Sequence, residues 1–268
     1  MPYYIYKRIT MNTKYYLCYI TSFFFVFFSC QNYNEDYSED SLHISNENNI
    51  VKTNIYSFDI DTQNFTIELS LYEGIYEKLN VSQKTYSYTG NLPENWKTQY
   101  IGKFLKNDKD NTIMKKITKR ISSSHIQNKD LVEKITAFVQ GGIRYDYEKL
   151  EAMDFGNSSK KFPYETLFEK AGICEDKSIL LAKLLIHNNY NVCFFIYPKA
   201  NHMALGIKVP EGFGNYGIDY CFIESTGYSE IGNIPEKMAG NIVLDKDPEI
   251  ITINPDINDS KVYHGIVK

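Results

Sequence analysis

Apolar and polar positions change period four times along the chain. Residues 15–29 (YYLCYITSFFFVFFS) are almost continuously apolar. Residues 31–50 (QNYNEDYSEDSLHISNENNI) then carry five acidic side chains and very few apolar ones. From 51 the pattern alternates. Tyr56, Phe58 and Ile60 face one way against Ile55, Ser57 and Asp59, and Phe65, Ile67, Leu69 and Leu71 follow. Period two with Tyr, Phe, Thr and Ile predicts antiparallel strands, with the turn at Asp61-Thr62-Gln63-Asn64. After Gly90 and Pro93 the period lengthens. Ile113, Ile117 and Ile121 recur every four residues, and Leu131, Ile135, Phe138 and Val139 mark a helix face. Asp130 and Glu133 are spaced as a capping pair at the start of that second helix, and Gly141-Gly142 as its stop. A further helix is predicted from about Ile173 to His187, with Leu180, Leu181, Leu184 and Leu185 inward and Glu175 and Asp176 in the first turn, where the helix dipole favours negative charge. Three strand-like runs come next, at 191–198, 202–209 and 218–225. Helices followed by an antiparallel set of strands give an α+β order.

Composition narrows the function classes. The 268 residues are 43% hydrophobic, enough for a packed core. With 29 Lys+Arg against 33 Asp+Glu the net charge is -4 and no basic block occurs, which argues against a nucleic-acid partner. Five cysteines spread along the chain do not make a disulfide scaffold. Walker A, G-x-S-x-G, G-x-G-x-x-G, C-x-x-C and H-E-x-x-H motifs are all missing, so neither a cofactor nor a metal site is expected.

The N-terminal pattern reads as a targeting signal. Lys7, Arg8 and Lys14 precede the apolar run, no acidic residue occurs in 1–29, and the run is shorter than the roughly 20 residues that span a bilayer. An uncleaved anchor is the competing reading. Ser29-Cys30, followed at once by polar residues, resembles a bacterial lipoprotein lipobox, with Phe27 and Phe28 where that pattern usually has Leu and a small residue. That resemblance implies lipid modification of Cys30 and export to the cell envelope. Met11 opens a more ordinary signal, so the start is open between Met1 and Met11. Removal of residues 1–29 takes three positive charges with it and moves the net charge from -4 to -7. The organisation expected is a signal peptide at 1–29, a disordered linker at 30–50, a small β-rich segment at 51–104 and the main domain at 105–268.

Three residues carry the candidate chemistry. Cys174 follows Gly172 at the head of the long helix, where the dipole and unpaired N–H groups favour a thiolate and an oxyanion. His202 opens the strand HMALGIKV, sharing a face with the small residues Ala204 and Gly206, over which the Cys174 helix is a candidate to lie. Loop 210–217 is rich in Gly and turn formers, so the last two strands should pair as a hairpin. A hairpin symmetric about Phe213 sets His202 directly opposite Glu224, close enough for a carboxylate to orient the imidazole. Cys193 and Cys221, within apolar strands, read as buried thiols, with a disulfide between them as the alternative. His187 ends a helix, where a cation suits the dipole, and His43, His125 and His264 have no assigned partner.

The segment Phe162-Pro163-Tyr164-Glu165-Thr166-Leu167 and the run from Ala171 to Ser178 (AGICEDKS) resemble the nucleophile segment of transglutaminase-like proteins. Asn201 to Ile207 (NHMALGI) resembles their histidine strand and Phe222 to Gly227 (FIESTG) their third motif. Phe138-Val139-Gln140 with Ile143-Arg144-Tyr145 resembles the helix before the core. The resemblance spans about residues 105–235. It implies a papain-like core, a nucleophile helix packed on an antiparallel sheet, with Cys174, His202 and Glu224 as a catalytic triad. Two positions depart from the usual pattern: Glu224 where Asp is common, and Met203 where an aromatic often follows the His. The expected activity is acyl transfer or hydrolysis at an amide bond of a protein, peptide or cell-wall substrate. The alternative is a catalytically idle binding or assembly module of the envelope on the same fold.

Overall fold

The computed structural model describes residues 51–108, 110–123, 129–154, 159–237, 243, 244, 246–253 and 260–266. The expected signal peptide, Cys30 and the linker up to 50 lie outside the described residues. Alternation produces β1 (Val51–Ile60) and β2 (Gln63–Tyr72), paired antiparallel from Val51↔Tyr72 to Ile60↔Gln63. The turn is tighter than expected: two residues, Asp61 and Thr62, with Asp61 at φ 54. Two helices occupy the rest of the segment expected to be β-rich, α1 (Glu73–Asn80) and α2 (Trp96–Leu105). Next come α3 (Asn111–Ser123), α4 (Leu131–Gly142), β3 (Arg144–Tyr145), α5 (Tyr147–Asp154), α6 (Pro163–Glu169), β4 (Ala171–Gly172) and α7 (Cys174–Ile186).

The inward face of the hairpin joins the main core, and a polar staple fixes where. Asn54, buried, donates through Nδ2 to the carbonyls of Phe168 (2.9 Å) and Leu167 (3.3 Å), while the Tyr56 hydroxyl donates to Leu167 O at 2.6 Å. Both carbonyls lie at the C-terminal end of α6, where Leu167 O also accepts from the cap amide of Lys170 at 3.1 Å, and the hairpin supplies the further donors. The start of α4 carries the expected capping box. Asp130 Oδ1 accepts from Val132 N (2.8 Å) and Glu133 N (3.0 Å), and Glu133 Oε2 accepts from Asp130 N at 2.9 Å. Its closing glycines serve a different purpose from the one expected. Neither has a left-handed φ; instead a side chain at Gly141 would sit 3.1 Å from Phe58 Cβ, so glycine is what lets α4 lie against β1.

Four strands form the main sheet in the order β7-β6-β5-β8, all antiparallel: β5 (Val192–Tyr197), β6 (His202–Lys208), β7 (Tyr220–Ile223) and β8 (Glu249–Ile253). Helix α7 covers the Met203, Leu205 and Ile207 face, where it joins Phe194 and Ile223 in one apolar core. The expectation that the helix would lie over Ala204 and Gly206 is corrected. That small-residue face is filled by a second cluster of Cys193, Phe195, Tyr197, Tyr220 and Phe222. A Cβ at Gly206 would stand 2.5 Å from Cys193 Sγ, so the space the small residues leave is already taken by strand side chains. Cys193 and Cys221 are free thiols, and no disulfide joins them.

Candidate active site

The head of α7 is built by a buried carboxylate. Asp176, fully buried in the first turn, accepts from Ile173 N (3.2 Å) and Lys161 N (2.8 Å), and Lys149 Nζ grips both its oxygens at 2.8 and 2.6 Å. One N–H left free by the helix start is thereby satisfied, and the position of the whole turn is fixed. Burial outweighs the attraction of Asp176 and holds the Lys149 ammonium below its usual range. Just before the turn, β4 pairs in parallel with β3, setting Tyr145 beside Gly172. A Cβ on Gly172 would come within 2.8 Å of Asp176 Cβ, so only glycine allows the chain to enter α7 this closely.

Cys174 is the first residue of α7. Its Sγ faces the β5–β6 turn, 4.0 Å from Asn201 O, and lies against the His202 imidazole. Asn201 takes a left-handed φ of 45, a conformation that suits Asn, and so turns the chain to present His202 as the first residue of β6. His202 Nε2 meets Glu224 Oε2 at 2.9 Å, leaving Nδ1 as the ring nitrogen for the thiol. The other carboxylate oxygen, Oε1, accepts from Thr226 N at 2.7 Å and Thr226 Oγ1 at 2.6 Å.

The structure therefore brings Cys174, His202 and Glu224 together, but not through the predicted cross-strand pairing. The β6–β7 ladder pairs Leu205 with Ile223 and Lys208 with Tyr220, centred one residue later than expected. Extended outward, that register puts His202 opposite Thr226. Glu224 is its diagonal neighbour on the same face, within reach of a carboxylate and an imidazole. The centre moves because the loop folds inward: Asn215 Oδ1 accepts from Phe222 N at 2.7 Å, and Val209 N donates to Asp219 O at 3.1 Å.

Electrostatics favour a charged ring at neutral pH. Burial opposes the imidazolium of His202, but contacts with Cys174 and Glu224 outweigh it and raise its pKa from 6.5 to about 9. Burial likewise raises the Glu224 carboxyl, and the bonds from His202 and Thr226 more than reverse this, leaving it below the ordinary value. Both side chains are almost inaccessible, 9% and 3% exposed, so solvent screens the pair little. The Tyr145 hydroxyl rests on the backbone amide of Cys174, and burial followed by the nearby thiol hold its pKa up to about 12.

Several neighbours carried no signal of their own in the sequence. Gln140, on α4, donates through Nε2 to Glu224 O (2.8 Å) and Ser229 O (3.0 Å). Ser178 bonds Ser225 across the gap between α7 and the end of β7, 2.9 Å between hydroxyls. His187, expected as a cation at its helix end, is instead held near 4, because burial and then Lys183 and Lys115 disfavour its charge; it contacts Asn111 Oδ1 at 3.0 Å.

Comparison with known proteins places this site in a family context. Residues 112–213 match the family described as a transglutaminase-like domain, a region that includes Cys174 and His202 and stops before Glu224. The UPF0252 protein MJ1282 of Methanocaldococcus jannaschii is 27% identical over 176 residues, 65% of this chain and 44% of that protein. The chain thus spans less than half the length of that curated relative. A crystal structure from Cytophaga hutchinsonii, described provisionally as a cysteine protease, aligns over 79% of this chain and 80% of its own, with 13% identity and a TM-score of 0.32.

Proposed function

We propose, on the premise that the chain carries a transglutaminase-like domain, that it is a cysteine-dependent acyl-transfer enzyme acting on an amide or peptide bond. The observation that carries this reading is the continuous contact of Cys174, His202 and Glu224 at the head of a buried helix. Cys174 Sγ attacks the substrate carbonyl as a thiolate, its proton held on His202, and the C–S bond forms as the carbonyl π electrons move onto oxygen. The Cys174 backbone N–H at the N-terminus of α7 becomes the donor for that oxyanion once the substrate oxygen displaces the Tyr145 hydroxyl that rests on it. Collapse of the tetrahedral adduct breaks the C–N bond, and His202 passes its proton to the departing amine. Water or a second amine then attacks the thioester, with His202 as base. Water yields a peptidase or amidase and an amine yields a transamidase. Glu224 keeps the ring oriented and charged throughout.

The proposal extends to location. Positive flank, apolar run and Ser29-Cys30 support an exported lipoprotein tethered through Cys30, with its globular part in the cell envelope and a protein, peptide or cell-wall amide as substrate. Among the described residues no helix is long and apolar enough to cross a membrane. A diacylglycerol adduct on the N-terminal Cys30 peptide, read by mass, tests the tether; an unmodified or uncleaved peptide overturns it. His202-dependent alkylation of Cys174 below pH 7 tests the chemistry.

A further inference from the structure

We infer that Lys177 is a positioning residue for this site, closing a ring of contacts that leaves α7 at Cys174, passes through His202, Glu224 and Thr226, and returns to α7. The inference rests on the reading of Cys174 as the nucleophile. Lys177 is fully buried, and its ammonium donates to three backbone carbonyls: Ile143 O at 2.6 Å, Gln140 O at 3.2 Å and Thr226 O at 3.4 Å. Three acceptors match the three protons of an ammonium. Glu224 is the charged neighbour whose field reaches it.

A lysine buried on carbonyls alone is an expensive core residue. Met or Leu would fill similar space without desolvating a charge. What an apolar side chain could not do is hold those three segments at once. Ile143 and Gln140 belong to the end of α4, whereas Thr226 is the residue whose N–H and hydroxyl fix Glu224 Oε1. Gln140 adds a second tie, accepting from Lys177 at its carbonyl while its side chain donates to Glu224 O and Ser229 O. The ring closes because residues 174 and 177 lie on the same face of a helix, one turn apart. Lys177 therefore sets where the Glu224 turn stands relative to the helix that presents the thiol. Burial, the larger influence, brings the ammonium down to about 8, so it is still largely protonated at neutral pH.

The test compares the full-length protein with its Lys177→Met, Thr226→Val and doubly substituted forms. Thr226 lies at the edge of the core, so its substitution leaves packing nearly intact. For each form the rate of Cys174 alkylation by iodoacetamide at pH 6 and the proton resonance of the His202–Glu224 hydrogen bond are measured, alongside a thermal melt. The expected result is about a tenfold loss of rate in each single form, in the range that small displacements of reacting groups cost. The double form should lose no more than the worse single one, and the His202 proton should move upfield in all three. Loss factors that multiply in the double form, or a wild-type rate and resonance in Lys177→Met, would overturn the inference. Should Lys177→Met fail to fold, Lys177→Gln, a shorter side chain with two donors for three carbonyls, decides it through the His202 resonance, where an unchanged signal is a contradiction. A wild-type Cys174 no faster than a free thiol would sink the nucleophile reading instead, while the resonance still decides the clamp.

Discussion

Replacing Glu224 with Gln keeps the size of the side chain and an acceptor for Thr226 but removes the charge facing His202. In the native protein burial disfavours the imidazolium, and Cys174 and Glu224 together raise its pKa from 6.5 to about 9. At about 1.4 kcal/mol per decade, that rise represents on the order of 3 kcal/mol of preference for the charged ring. With the carboxylate gone only the thiol opposes burial, and the pKa should fall to 6.5 or below. Stability should follow. A histidine whose folded pKa exceeds its unfolded one stabilises the fold fully below 6.5 and loses that contribution as pH rises through about 9. Glu224, with its depressed pKa, contributes above its usual 4.5 and loses that contribution as pH falls. Glu224→Gln should therefore cost most between pH 4.5 and 6.5, up to about 3 kcal/mol, and cost little above pH 9. Histidine-ring NMR titration gives the pKa, and denaturant unfolding from pH 5 to 10 gives the stability difference. A ring that still titrates near 9 in the variant, or a difference that is flat with pH, refutes the reasoning.

Asp176→Ala should destabilise the fold by about 3–5 kcal/mol, because the buried Lys149 ammonium loses its partner, and adding Lys149→Met should restore part of that loss. Denaturant melts read both, and a neutral single substitution would show that the carboxylate does not organise the head of α7. Gly206→Ala should cost about 1–3 kcal/mol by driving a methyl into Cys193 Sγ and Phe195, with Cys193→Ala relieving part of the strain. A wild-type melting temperature in Gly206→Ala would mean that the second cluster is loosely packed.

How far the sequence could be read depended on how much each element buries. The hairpin at 51–72, α4 with its capping box, and α7 have strong periods or caps and were legible. Helix α1 buries only Leu79, so it shows little apolar period, and Gly102 weakens the helix signal of α2, which nonetheless runs through it. Strands β3 and β4 are two residues each, and β8 buries only Ile251. His202 and Glu224 could be assigned to one face because an error of two residues in register preserves the side of the sheet. The register itself could not be read, since it depends on Asn215 folding the loop inward. Lys177 and Gln140 gave no sign of their positions. A lysine in a Leu-rich helix ordinarily reaches to solvent, and only the tertiary structure shows α7 enclosed on all sides.

The central claim is an activated thiol, and the alkylation rate of Cys174 in the full-length protein from pH 4 to 9, resolved by peptide mass, tests it most directly. Cys193 and Cys221, both buried with thiol pKa values raised by burial, serve as internal controls. Fast modification of Cys174 alone below pH 7, lost in His202→Ala, is the predicted result. A Cys174 that reacts only as pH approaches about 8.5, with the same profile whether or not His202 is present, would contradict it.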